Sequence, residues 1–339
     1  MILDLYGSPD ARQINGIGGA DPLTSKVAIV NPSVRDDADI DYTFGYVGIA
    51  DAVVDYEGNC GNISAGAGVF AIMEGFVKAV EPETVVRIFN TNTNKVIEAH
   101  VPVRVIDGDF AIDGVPGTGA RITLYFLEPD GSKTGKLLPT GNVQDSITLA
   151  DGRIIQVSLV DAANPAVFVK ATDLGYEGTE LPAFTETDGG VLLNTLEDIR
   201  TTAAVMMGLA LSKEAASPAV PKVCMVSAPQ TYLASDGRTI EGNSIDIVAR
   251  TKALAVMHKA YAVTGGICTA TAALITGTVA NEVVSERAKE TKRVTLAHPS
   301  GKFDFEICLT NDDGWHVEKA GVARTARPIM KGIAYVKGE

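Results

Sequence analysis

Basic residues are scarce in this chain. Among 339 residues there are 29 Lys plus Arg against 42 Asp plus Glu, a formal net charge of −13. A duplex nucleic-acid binder needs a basic face, so that class is excluded, and an anionic ligand must be attracted by a local site rather than by the net field. Cysteine is also sparse. Cys60, Cys224, Cys268 and Cys308 form no C-x-x-C pair, which excludes a zinc ribbon or a thioredoxin-like motif. Scattered thiols point to a reducing cytoplasm rather than a disulfide framework. The four histidines make no H-x-x-x-H and no carboxylates cluster, so no metal is expected. Gly16-x-Gly18-Gly19 and Gly66-x-Gly68 do not complete a dinucleotide fingerprint, and no G-x-S-x-G elbow occurs, so no cofactor is implied. Met1-Ile2-Leu3-Asp4 lacks a basic, then apolar, leader. The uncharged stretch Ala260–Asn281 contains Thr264, Thr269, Thr271, Thr276 and Thr278. It is too polar for a membrane span and reads as a buried helix with its preceding loop.

What remains is a folded chain, 46% hydrophobic with 34 glycines, long enough for about two domains. In the first half, Lys26–Val30, Tyr42–Asp55, Val85–Phe89, Val96–Val105 and Arg121–Phe126 have strand patterning. Gly58–Asn62 is a turn opening a helix over Ile63–Val77, whose apolar circumference predicts burial on most sides. In the second half, Ile154–Val160, Ala166–Lys170, Val294–Ala297 and Phe303–Leu309 read as strands. Leu192–Leu211 and Ile245–Tyr261 read as helices. Gly265–Cys268 reads as a turn before a small-residue helix that runs through Thr278. Cys60 and Cys268 each open such a helix, and Lys95 and Lys302 each close a downstream polar turn, at nearly the same separation. The recurrence predicts two copies of one unit, with both cysteine turns facing one cleft.

Cys60 lies in a Gly/Asn turn at a helix start. There free amides and the helix dipole lower a thiol's pKa and can also hold a carboxylate. The competing reading is an inert buried thiol. Cys268 gains a role only through the repeat, as a second thiol across the cleft with Thr269 beside it; Cys224 and Cys308 read as structural. Lys26 follows Thr24 and Ser25 at a strand start. It is either a solvated charge or a desolvated base, and the residues alone leave both open. His298, in His298-Pro299-Ser300-Gly301, is equally a turn residue or an anion donor. His258 reads as a surface or packing residue.

Several motifs in this order resemble the PrpF family, which has the diaminopimelate epimerase-like fold. They are Gly7-Ser8-Pro9-Asp10, Arg12-Gln13-Ile14-Asn15-Gly16, Thr24-Ser25-Lys26, Gly58-Asn59-Cys60-Gly61-Asn62-Ile63-Ser64, Leu138-Pro139-Thr140-Gly141, Asn164-Pro165, His298-Pro299-Ser300-Gly301 and Arg324-Thr325-Ala326-Arg327. The resemblance spans Tyr6 to Tyr335. It implies an α+β chain of two pseudo-symmetric domains, 1–148 and 149–339, each a β-barrel or curved sheet around a central buried helix. The last segment would return to the first domain.

The resemblance also implies a cofactor-independent isomerase acting on an unsaturated di- or tricarboxylate, with methylitaconate the first candidate and 2-methylaconitate or 4-oxalomesaconate the alternatives. A carboxylate-binding protein without turnover is the non-enzymatic alternative. Lys26, Cys60 and Cys268 would be catalytic. Thr24, Ser25, Asn59, Gly61, Asn62, Ser64, Asn164, Thr269, His298, Ser300 and Gly301 would bind substrate. A homodimer or higher homo-oligomer in the cytoplasm is expected. Two departures stand out. The family's upstream strand and Gly-Thr-Ser-Lys-Gly loop have no counterpart before Tyr6, and Leu274-Ile275-Thr276-Gly277-Thr278 stands where Arg-Ile-Pro-Gly-Thr is expected.

Overall fold

A computed structural model describes residues 1–103, 107–253 and 256–336. Residues 104 and 105 of the expected strand Val96–Val105, and 254 and 255 of the expected helix Ile245–Tyr261, lie outside the described residues. In the first half, β1 (Lys26–Pro32), β2 (Ile40–Val47) and β3 (Val54–Asp55) precede helix α1 (Gly61–Met73). β4 (Glu83–Asn90), β5 (Lys95–Pro102) and β6 (Ile122–Leu127) follow it. Apart from the edge strand β1, each long strand alternates. Ile40, Tyr42 and Phe44, Val86 and Ile88, Ile97, Ala99 and Val101, and Ile122, Leu124 and Phe126 all turn inward and are buried, as period-2 patterning requires. Burying each large side chain of this set stabilises the fold by about 1.5–3 kcal/mol.

In the second half, β7 (Asp145–Thr148), β8 (Ile154–Ala162) and β9 (Asn164–Lys170) precede helix α2 (Val191–Met206) and β10 (Lys222–Ser227). β11 (Ile247–Ala253) and β12 (Val256–Met257) lead into helix α3 (Val263–Leu274), which is followed by β13 (Arg293–His298), β14 (Gly301–Thr310) and β15 (His316–Arg324). All these strands join one curved 15-stranded sheet in the order β1-β2-β4-β5-β6-β15-β14-β13-β11-β10-β9-β8-β7, with β3 on β2 and β12 on β11. The two lobes meet at the antiparallel β6–β15 pair.

Reading outward from that pair, the lobes repeat. β6, β5, β4, β2 and β1 correspond to β15, β14, β13, β11 and β10, with the parallel β2–β4 step matched by the parallel β11–β13 step. The register repeats too. Ile40 opposite Ile88 is reproduced by Ile247 opposite Leu296, and Ala28 opposite Phe44 by Cys224 opposite Thr251. Helices α1 and α3 fill the two concavities and meet head to head. A Cβ on Gly61, the first residue of α1, would lie 2.5 Å from Cγ1 of Val263, the first residue of α3.

The repeat is present, but neither clue that suggested it survives. Cys268 is the sixth residue of α3, not part of an entrance turn, and Ala262 occupies the N-cap position that Cys60 holds in α1. The inward residues Ile97, Ala99 and Val101 match Phe303, Phe305 and Ile307, which sets Lys95 against Gly301 rather than Lys302. The segment read as a helix from Ile245 to Tyr261 is β11 and β12. β11 is a central strand buried on both faces, so its apolar run shows no period-2 alternation. Tyr42–Asp55 is two strands, β2 and β3. Every residue of α3 is buried, as expected for the uncharged stretch, and no described helix is long and apolar enough to cross a membrane. By contrast, α1 leaves Phe70 and Met73 exposed. The β8–β9 hairpin packs on α3, whereas in the first lobe β1 is the edge of the sheet among the described residues.

Because the two helix starts touch with no room for a side chain at residue 61, Gly61→Ala should destabilise the protein by about 1–3 kcal/mol in equilibrium urea unfolding. The same substitution should cost less in a Val263→Ala background. Equal costs in both backgrounds would show that the junction does not carry strain.

Candidate active site

The junction of α1 and α3 lies where the lobes face each other. The first three amides of each helix, at residues 61–63 and 263–265, have no intrahelical acceptor. Their dipoles converge, the equivalent of about half a positive charge from each helix. Cys60 caps α1 in an extended conformation and is 9% exposed. Its carbonyl accepts from the Tyr42 hydroxyl (3.3 Å) and from Ser64 Oγ (3.1 Å). Ser64 therefore braces the cap. Asn59 is held by Asn90, whose Nδ2 donates to its Oδ1 at 2.8 Å. Asn62, the second residue of α1, accepts at Oδ1 from Arg324 Nε at 2.9 Å.

Lys26 begins β1 and shares its inward face with Val30, which packs on the main core around α1. Its backbone carbonyl accepts from the Tyr6 hydroxyl. Ser25 and Thr24 are occupied locally. Buried Ser25 donates to Gln13 Oε1 at 2.6 Å, and exposed Thr24 Oγ1 donates to the Asp21 carbonyl at 3.2 Å. Gln13, 1% exposed, also accepts from the Ala20 amide and donates to Ser8. It pins the loop that leads into Lys26.

From the second lobe come groups that sequence reading undervalued or missed. Arg324, at the end of β15, is 5% exposed. Besides Asn62 it donates to the Ala323 carbonyl, and its guanidinium sits 4.7 Å from the Phe303 ring centroid. It makes no ion pair among the described residues, and burial pushes it down to about 10. His298 is 2% exposed. Its Nδ1 accepts from the Ser300 amide at 3.2 Å and its carbonyl from the Tyr232 hydroxyl at 2.6 Å. Burial, then Arg250, Arg324 and His258, push it down to about 3. Ser300 Oγ is spent on the Lys259 carbonyl. Gly301 leaves no room for a side chain beside Asp113, whose carboxylate accepts from the Lys302 amide. The turn is therefore a rigid frame, and His298 Nε2 is its polar atom without a hydrogen-bond partner among the described residues.

His258 is not on a helix. It follows β12, its Nδ1 accepts from the Ala260 amide at 2.9 Å, and burial followed by the Lys222 and Lys26 ammonium groups pushes it down to about 4. With Nδ1 engaged as acceptor, neutral His258 and His298 each carry their proton on Nε2. Lys222, at the start of β10, is lowered to about 8 by burial, with Arg200 and Lys252 adding to the depression and Cys224 and Asp55 opposing it. Neither Lys26 nor Lys222 forms a side-chain hydrogen bond or ion pair among the described residues.

Two expected site residues stand apart. The Cys268 thiol is fully buried and donates to the Val160 carbonyl at 3.3 Å, and burial pushes its pKa well up. Thr269 is fully buried, with its hydroxyl on the Gly265 carbonyl and the Tyr261 hydroxyl. Both are consequences of α3 starting at Val263, six residues earlier than the expected Gly265–Cys268 turn would allow. Asn164 begins β9 beside the tight Ala163 turn (φ +59°). It is 6% exposed, and its amide has no hydrogen-bond partner among the described residues. In a chain of charge −13, Arg324 meets the start of α1 at Asn62, and its charge and that of His258 act on His298, while Lys26 and Lys222 act on His258. Such a set can grip a compact polyanion and move a proton within it.

A family model described as PrpF protein matches residues 1–337. The 3-methylitaconate isomerase of Eubacterium barkeri is 48% identical over 345 residues, covering 99% of this chain and 89% of that protein. The 4-oxalomesaconate tautomerase of Pseudomonas putida is 40% identical over 343 residues, covering 99% and 88%. A crystal structure of methylitaconate-delta-isomerase superposes with a TM-score of 0.84 at 49% identity, covering 99% of this chain and 87% of that one. A hydroxyproline epimerase from Agrobacterium vitis shares the fold alone, with a TM-score of 0.53 at 14% identity, covering 96% and 78%. On a match that spans nearly its whole length, this chain belongs to the PrpF family.

Proposed function

We propose that this protein is a cofactor-independent isomerase that shifts a double bond in an unsaturated di- or tricarboxylate, with 3-methylitaconate its first candidate substrate. The observation that carries the reading is the set of cations, Arg324 at the α1 N-terminus with Lys26 and Lys222 around His258, that make no ion pair among the described residues. An isolated cluster of this kind is costly to bury, and a bound polycarboxylate supplies the missing charge. The Arg324 guanidinium and the amides of Gly61 and Asn62 hold one carboxylate. The Nε2–H groups of His258 and His298, with the Asn164 amide, are donors for the rest. Relatives bearing isomerase names at 36–48% identity support the same class.

The chemistry is an allylic proton shift. The Lys26 amine, as general base, removes a proton from a carbon flanked by the double bond and a carboxylate. The electron pair spreads into a dienolate, whose developing charge faces the helix amides and Arg324. A proton returns at the far end of the former double bond. Cys60, at the helix cap, lines this path. Exclusion of water between the lobes strengthens each electrostatic contact. Four free thiols suit a reducing cytoplasm.

In deuterated buffer, ¹H NMR of 3-methylitaconate should show isomerisation by the wild type, and Lys26→Ala should lower kcat by at least ~10². Full turnover without the Lys26 amine would remove the assigned base. A panel including 2-methylaconitate and 4-oxalomesaconate ranks the substrates.

The histidines make a separate stability prediction. Their folded values of about 4 (His258) and about 3 (His298) lie below the ~6.5 of an unfolded histidine. The unfolded chain therefore binds more protons, and their contribution, complete above ~6.5, is lost as pH falls toward 4 and then 3. Urea unfolding at pH 7 and pH 5 should show a fall in stability that is smaller in His298→Asn. An unchanged fall would place the His298 proton elsewhere.

A further inference from the structure

We propose that Lys222 is the second proton carrier of the site, the amine that returns a proton to the substrate after Lys26 has taken one. The proposal rests on the isomerase reading above and goes beyond it by assigning the returning proton. Its foundation is the internal repeat. Since Ala28 opposite Phe44 corresponds to Cys224 opposite Thr251, Lys26 corresponds to Lys222, two residues earlier on the same strand face. Each lysine is the first residue of its strand. Each points inward, Lys26 in line with Val30 and Lys222 in line with Cys224 and Val226, all three of which pack on the main core.

The inward positions of the repeated strands have diverged almost everywhere. Tyr42 stands against Ala249, Phe44 against Thr251, Asn90 against His298, Phe126 against Arg324. Where the two lobes agree, at Ile40 and Ile247, Val30 and Val226, Val86 and Val294, the residues are apolar and fill the core. Among the described residues, Lys26 and Lys222 are the one polar inward pair that is the same in both. A half-buried lysine on an inward strand face is poor packing material, so its repetition needs a use at the shared opening.

The two ammonium groups share neighbours. Both act on His258, and Asp55, which pairs with Tyr46 beside Lys26, acts on Lys222 from the opposite lobe. An allylic shift needs proton transfer at two carbons separated by one other. Two amines brought in from facing lobes can serve them from opposite sides, without one side chain having to swing between them. At about 8, Lys222 is still mostly protonated at pH 7, yet it is a better acid than a solvated lysine at ~10.4. The step balances. The substrate C–H bond breaks and its proton joins the neutral Lys26 amine. The electron pair enters the dienolate. An N–H bond of the Lys222 ammonium breaks as the new C–H bond forms at the far carbon. The enzyme ends with Lys26 protonated and Lys222 neutral, and solvent exchange resets both.

The test is ¹H NMR of 3-methylitaconate in deuterated buffer with wild type, Lys222→Gln, Lys222→Arg and Lys26→Gln, each confirmed folded by circular dichroism. For both Lys222 variants, deuterium should continue to enter the substrate at the carbon next to the carboxylate, within ~10-fold of the wild-type rate. Isomer formation should fall by at least ~10². Arginine keeps the charge and bulk but holds its proton too tightly to donate, so it controls for a purely structural role if the glutamine variant fails to fold. Lys26→Gln should lose exchange and isomerisation together. Added methylamine should partly restore isomerisation to Lys222→Gln. Turnover within three-fold of wild type in Lys222→Arg overturns the proposal. So does loss of exchange and turnover in equal measure in both Lys222 variants. If the wild type itself isomerises none of the panel acids, the isomerase reading fails as well; if it does and only the Lys222 result is negative, that reading stands.

Discussion

Two helix N-termini pressed together at Gly61 and Val263 set the terms for everything else in this molecule. Helices filling two facing concavities could be arranged in many ways. Here they point at each other, so their positive ends add instead of cancelling. Close approach is possible because residue 61 has no side chain, and the approach is enforced by the continuous sheet that runs through β6 and β15 and carries both lobes. The unpaired amides at the junction must find acceptors in water or in a ligand.

Onto this positive seam the fold adds more positive charge. Burial pushes Lys222, Arg324, His258 and His298 all below their ordinary values, and neighbouring cations add to the depression at Lys222 and at both histidines. Elsewhere the protein pairs its charges conventionally, as with Arg200 and Lys252 on Glu197, whose carboxyl is held down to about 2. The contrast distinguishes a structural ion-pair network from a site left electrostatically incomplete. Among the described residues Lys26, Lys222 and Arg324 make no ion pair, and burial keeps the two histidines beside them neutral, so a bound anion would complete the charge balance.

Much of the fold was legible because alternating strands and an uncharged small-residue helix leave clear signatures. The misreadings have physical causes. β11 lies between two strands and is buried on both sides, so its sequence lacks the alternation that marks a half-exposed strand. The start of α3 was placed at Gly265–Cys268 because two glycines resemble a turn. In fact Gly266 is required within the helix, where any Cβ would strike Phe305. The internal repeat was inferred from two coincidences that the register does not honour. Insertions make the spacing between counterparts vary from 196, for Lys26 and Lys222, to 208, for Ile88 and Leu296, so no single offset exposes it. In the site, Lys26, Cys60 and His298 could be picked out from turn and strand context. Arg324 was visible only as part of a motif, and Lys222 not at all, because its importance lies in a register that needs both lobes.

The symmetry of the frame makes its broken positions informative. Cys60 faces Ala262 at the helix caps, so a matched pair of thiols that would treat both sides of one carbon alike is absent. Arg324, His298 and His258 come from the second lobe, with Phe126, Asn90 and Glu57 at the corresponding places in the first. One lobe therefore carries the guanidinium and both imidazoles, while the other carries the thiol and the braced Asn59 turn. Any ligand bound between them would meet unlike groups at its two ends. That asymmetry suits a reaction in which one carbon loses a proton and a different carbon gains one. It does not suit the inversion of a single centre, in which the two faces must be handled equivalently.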